Sequence, residues 1–150
     1  MIRLDLLNRL SVTKVINPAA NSNIGTTAQV GATIDHANTM GTLYVIQTGT
    51  LSDADAVYSV LLEESDNSDM SSSNAVDDVD MITMTSGTAP EAAAAFNYAD
   101  DNSVRRLGYI GSKRYTRLTI TPTTTADSGD TPLSAVAIQV MRARGNVTGS

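Results

Sequence analysis

Any catalytic chemistry in this chain would have to centre on His36. It is the only histidine among 150 residues, Asp35 precedes it, and serines are plentiful, so a relay of the Ser-His-Asp kind has its raw materials. No glycine-flanked nucleophile accompanies it, and a lone residue is not a motif. The simpler reading has His36 capping the end of a strand. A second candidate is Ca²⁺, because Glu64, Asp66 and Ser68 alternate as oxygen ligands do in a cation loop. Asp69 stands where such a loop needs glycine, and no glutamate follows at the closing distance. The same residues read better as a solvated turn whose side chains bond the local backbone. Phosphate-binding and dinucleotide-binding glycine patterns are missing, and with no cysteine neither a thiolate metal site nor a disulfide is available. No catalytic residue, metal ligand or cofactor is assigned, and the chain is read as a non-enzyme.

The remaining chemical signal is the placement of charge. Arg105, Arg106, Lys113, Arg114 and Arg117 crowd into SVRRLGYIGSKRYTRLTIT (residues 103–121), whereas no Lys or Arg occurs from Val15 to Val104. The net charge is −6, and 13 of the 16 acids fall between Asp35 and Asp101. An acidic chain whose basic stretch holds only Tyr109 and Tyr115 as stacking groups is not expected to bind nucleic acid directly. Two uses of the cations stay open. They either meet a partner of patterned charge or another copy, or pair internally with Asp77, Asp78, Asp100 or Asp101.

The elements that must position these groups read as strands. Val104–Ile110 and Lys113–Thr121 flank Gly111 and Ser112, the pattern of a β-hairpin. A two-residue loop would set Arg106 opposite Arg117, an unfavourable pairing. A three-residue loop ending at Lys113 would pair Tyr109 with Tyr115 and Val104 with Ile120, and the sequence does not choose between them. Further strands are expected at Ser11–Ile16, Thr26–Ile34, Leu43–Thr48, Tyr58–Glu64 and Leu133–Met141, the last apolar on both sides as a buried strand is. Ala75–Ile82 suits a bulge or short edge strand. Thr88, Pro90 and Glu91 fit a capping box opening a helix over Pro90–Ala95, in competition with a strand over Ala95–Tyr98.

At the N-terminus Ile2, Leu6 and Leu10 form one helical stripe with Leu7 beside it. A segment this short is marginal alone and needs a surface to pack on, so it is expected to be an arm. No apolar run reaches the length of a membrane span and no signal-peptide pattern is present, so a soluble protein with no membrane contact is expected. About eight short strands separated by turn-rich loops make an all-β sandwich or barrel the expected fold. The expected divisions are 1–25 (arm and first strand), 26–145 (the β-sandwich) and 146–150 (tail).

The stretch DDNSVRRLGYIGSKRYTRLTIT resembles small structural proteins of tailed bacteriophages, the capsid decoration or cement family. The similarity extends back through LYVIQTGTLSDADAVYSVLLEESDNSD and forward to TPLSAVAIQV, and it covers roughly two-thirds of the chain. Residues 86–99 and the first 25 have no counterpart in it. The resemblance implies a jelly-roll-like antiparallel β-sandwich on the outer capsid surface of a virion, bridging neighbouring subunits of a major capsid protein. A homo-oligomer, dimer or trimer, is expected with it. The interface is then expected at the apolar arm (Ile2, Leu6, Leu7, Leu10) and at Arg105, Arg106, Lys113, Arg114 and Arg117. A tail, fibre or head-tail adaptor component of the same kind of virion is the alternative.

Overall fold

The computed structural model describes residues 6–18, 23–123 and 129–142. Along its long strands, burial alternates with the period of two that a pleated backbone imposes. In β4 (Thr39–Thr48) the residues Thr42, Tyr44, Ile46 and Thr48 turn inward, and in β5 (Val57–Ser65) Tyr58, Val60 and Leu62 do. The other strands are β1 (Leu10–Ile16), β2 (Gln29–Val30), β3 (Ile34–Asp35), β6 (Asn74–Ala75), β7 (Met81–Ile82), β8 (Phe96–Asn97), β9 (Val104–Tyr109), β10 (Tyr115–Pro122) and β11 (Leu133–Met141). One short helix, α1, spans Pro90–Ala94.

All the pairings are antiparallel and form two sheets. A five-stranded sheet runs β1-β11-β4-β9-β7, and a six-stranded sheet runs β2-β10-β5-β6 with β3 also on β10 and β8 also on β5. From β4 onward successive long strands change sheets: β1, β4, β9 and β11 lie in the first, while β5 and β10 lie in the second. With β1-β11-β4-β9 facing β2/β3-β10-β5-β6/β8, this is the connectivity of a jelly roll, an all-β sandwich.

The core between the sheets holds Tyr44, Tyr58, Tyr109, Ile34, Ile46, Leu62, Leu107, Leu118 and Ile120. A chain with five tyrosines and one phenylalanine must bury phenols, and a buried hydroxyl needs a partner. Tyr58 shares a hydrogen bond with Thr131 (2.8 Å), Tyr44 with Thr116, and Tyr109 donates to Glu64 (2.8 Å). Phe96 stacks on Tyr58 with ring centroids 4.8 Å apart.

The expected hairpin at 104–121 does not form. Its two strands are consecutive but lie in opposite sheets: β9 pairs with β4 and β7, and β10 pairs with β5, β2 and β3. Charge disfavours the two-residue version of that hairpin and favours the pairing found. A tight hairpin would have set Arg106 against Arg117, whereas the observed register sets Arg117 directly opposite Glu63. The crossing is held by the Tyr109 hydroxyl, which accepts the Lys113 N–H at 3.0 Å.

Three smaller expectations also change. The strand foreseen at Thr26–Ile34 is broken into β2 and β3 at Gly31, whose N–H donates to the Leu118 carbonyl at 2.8 Å. A Cβ there would sit 2.6 Å from that oxygen and from Val15 Cγ1, so the chain can pass only as glycine. Ala75–Ile82 becomes two short strands in different sheets, joined by a 3-10 turn at Asp78–Asp80. The helix at Pro90 forms without the capping box: its N-cap is Ala89, and Glu91 instead accepts the Leu62 N–H at 2.6 Å. The competing strand also forms, as β8.

Candidate functional site

His36 follows β3 and projects between the sheets. Its Nε2 lies 2.6 Å from Thr116 Oγ1 on β10 and its Nδ1 lies 2.9 Å from Thr42 Oγ1 on β4. The Tyr44 hydroxyl closes on the same Thr116 oxygen, and the Tyr109 ring lies 4.8 Å from the imidazole. Burial pushes the His36 pKa down to about 4, against the opposing pull of Asp35. The imidazole is therefore neutral at pH 7 and both of its nitrogens are engaged by threonines. Asp35 faces elsewhere: it accepts Arg114 Nε and Nη2, each at 3.1 Å, and the Ala37 N–H at 2.8 Å. Arg114 is the main reason its carboxyl is held below the usual range. Asp35 and His36 are thus neighbours in sequence without being a catalytic pair.

Four of the five clustered cations find acids within the chain. Arg105 meets Asp100, Lys113 meets Asp66 (2.5 Å), Arg114 meets Asp35, and Arg117 meets Glu63 (2.9 Å). Burial works to raise the Glu63 pKa, but hydrogen bonds from Arg117 and from Ser73 (2.9 Å) hold it below its ordinary value. Asp100 is among the partners the sequence suggests. Asp35, Glu63 and Asp66 are not, because their strands join β10 or its approach only through a register that local pattern does not specify. Arg106 is the exception. It points outward from β9, exposed, and makes no ion pair among the described residues. Of the Glu64, Asp66 and Ser68 turn, Glu64 accepts from Tyr109 and Asp66 from Lys113, and the described residues hold no cluster of three or more potential metal ligands.

Of the apolar arm, Leu6 and Leu7 are 54% and 88% exposed in a single turn that leads into β1, whose first residue, Leu10, is half-buried. Ile2 lies outside the described residues.

The feature that sequence pattern left out is the outer face of the five-stranded sheet. Its middle row across all five strands is Val12–Ile138–Leu43–Gly108–Ile82. The flanking rows are Leu10–Val140–Gly41 on one side and Lys14–Val136–Val45–Arg106 on the other. Val12, Ile82, Met84, Ile110 and Val140 are each exposed, and where Gly41 and Gly108 carry no side chain a groove of about 510 Å³ opens between Ile82, Met84, Ile138 and Val140. The doubly apolar pattern of β11 was the available signal. It marks a strand covered by its own core on one side only: Leu133, Ala135 and Ala137 are buried, while Val140 on the other face is exposed. A second, polar depression of about 490 Å³ lies beside His36, with Tyr109, Lys113 and Arg142 in its wall.

No family model and no curated protein matches the chain.

Proposed function

We propose that the protein is a structural component of a virion, a decoration protein that binds the outside of a phage capsid and cements neighbouring major-capsid subunits. The observation that carries this reading is a jelly roll whose polar interior is engaged with itself while aliphatic side chains remain uncovered outside. His36 and four of the five clustered cations are occupied by partners within the chain, leaving no convergent set of free reactive groups among the described residues. Leu6 and Leu7 are exposed at the head of β1. Exposed apolar side chains mark a protein contact where they form a contiguous patch, as adjacent Leu6 and Leu7 begin to do at the head of β1. The resemblance of residues 100–121 to phage cement proteins gives that contact its partner.

In this reading the N-terminal arm supplies the shell contact, and Ile2, Leu6 and Leu7 are its anchors. The internally paired cations add little, because a shell contact would first have to replace acids they already hold. Co-sedimentation of purified protein with empty shells tests this. Removing residues 1–9 should abolish binding, whereas Arg114→Ala should leave it nearly intact. Undiminished binding without the arm overturns the anchor assignment, and no binding by the full chain overturns the proposed function itself.

A further inference from the structure

We infer that the outer face of the five-stranded sheet is the interface between two copies of this chain, packed face to face about a two-fold axis running along β4. The face carries both halves of a complementary surface. β4 is the middle strand, so a dyad along it lays the β1-β11 side of one copy on the β9-β7 side of the other. In the middle row this sets Ile138 over Gly108 and Val12 over Ile82. A side chain on one copy meets the position where the other copy has none, and the contact is made twice, as an isologous interface requires.

The two cations of this face, Lys14 and Arg106, lie in the row at one border of the contact. Lys14 and Arg106 share a row but are not equidistant from β4, so the dyad sets Lys14 beyond Arg106, towards Met84, and sets Arg106 over Val136. The aliphatic stem of Arg106 can cover Val136 while its head reaches water. Its lack of an ion pair is then consistent with a place at the border of the contact.

Size agrees as well. Four long strands about 4.8 Å apart over roughly six residues at about 3.3 Å each, with the two-residue β7 at the edge, present a footprint of about 400 Å². Two such faces together bury on the order of 800 Å², the size of a weak, reversible association. Sheet faces rich in β-branched residues also pack well on one another when their strands are aligned to within about 30°, as a dyad along β4 makes them.

The solution mass of the full chain, measured by sedimentation across micromolar concentrations, is the first test. A concentration-dependent dimer is expected, unweakened by added salt because the contact is apolar. Val12→Glu and Ile82→Glu each place a carboxylate in the contact and should weaken association roughly 100-fold. Both positions are exposed in the single copy, so circular dichroism should show the fold retained. Because the chain has no cysteine, a mixture of Val12→Cys and Ile82→Cys chains should be joined by a short bis-maleimide, which alkylates one thiol at each end and spans the roughly 10 Å between packed sheets, and Val12→Cys alone should not.

A wild type that stays monomeric overturns the inference. So does a dimer indifferent to both glutamates, or one that cross-links through Val12→Cys alone. A monomer that dimerises only after residues 1–5 are removed would mean that the chain covers its own face, and a monomer in which Val12→Glu abolishes shell binding would give the face to the shell; either also overturns it. Shell co-sedimentation is a separate readout, so a dimer that fails to bind shells supports this interface while removing the proposed function.

Discussion

The outer face of the six-stranded sheet and that of the five-stranded sheet are built on the same backbone geometry and end in opposite states. On the first, Thr121 lies across from Ser59, Thr119 across from Leu61, and Arg117 across from Glu63. Ser59 Oγ donates to the Thr121 carbonyl at 3.1 Å, and Ser73 joins Arg117 on Glu63. Ser59, Glu63 and Arg117 find partners across the ladder, so satisfied polar groups interrupt the exposed aliphatics of this face, Val30, Val57 and Leu61. On the second, Val12, Leu43, Val136, Ile138 and Ile82 have only one another. Aliphatic side chains cannot satisfy themselves within a single layer, so this face remains the one on which binding a protein gains most. The contrast separates a sheet that finishes its own chemistry from one that waits for a second surface.

The largest effect should come from the residue that ties the two sheets together. His36 reaches Thr116 in one sheet and Thr42 in the other and stays neutral when folded, with its pKa lowered to about 4. An unfolded chain takes up this proton below its ordinary value of about 6.5, and the folded chain does not. Stability is therefore full above that pH and falls as pH drops towards 4, by on the order of 3 kcal/mol in total at about 1.4 kcal/mol per unit. Urea unfolding between pH 7 and 5 isolates this effect from the carboxylates. His36→Gln should flatten the slope, and a wild-type midpoint that does not move over that range would contradict the buried neutral imidazole.

A middle-sized effect should come from Glu63→Ala, which strands the Arg117 guanidinium on the polar face. The two side chains are 20% and 28% exposed, so the cost should be about 1 to 2 kcal/mol, between that of a surface pair and that of a buried one. Replacing both at once, Arg117→Leu with Glu63→Leu, should recover most of that stability and make the six-stranded face resemble the five-stranded one. Sedimentation should then show association beyond the dimer. If the double variant keeps the wild-type mass, the apolar character of a face does not govern its association.

Much of this architecture was legible because long strands announce themselves. Leu133–Met141 is found with its expected ends, and Tyr58–Glu64 and Leu43–Thr48 are each extended by a few residues, since short apolar or alternating runs bounded by turn residues fit little but a strand. The hairpin at 104–121 was not legible, because two adjacent strands with a glycine between them look alike whether they pair or cross between sheets. The deciding contact, Arg117 with Glu63, joins residues 54 positions apart. The break at Gly31 was invisible for a similar reason: it answers to Leu118 and Val15, not to its neighbours. The uncovered sheet face lay in plain view in β11. Two apolar sides suggest burial on both, whereas a strand central to its sheet can still have one side open.

The smallest effect belongs to the corner where the chain crosses between sheets, and it separates side chain from backbone. Lys113 pairs with Asp66 through an exposed ammonium, but its N–H also donates to the Tyr109 hydroxyl, which in turn donates to Glu64. Lys113→Ala removes the first contact and keeps the others, since the backbone N–H remains, and the freed Asp66 carboxylate is left in water. No shift of the urea midpoint beyond measurement error is expected. Tyr109→Phe does the reverse. It leaves the Lys113 N–H without its acceptor and the Glu64 carboxylate without its donor at a half-buried site, and should cost about 1 to 2 kcal/mol. If Lys113→Ala proved the more damaging of the two, the crossing would depend on its surface charge. The phenol could not then be what keeps β9 and β10 apart.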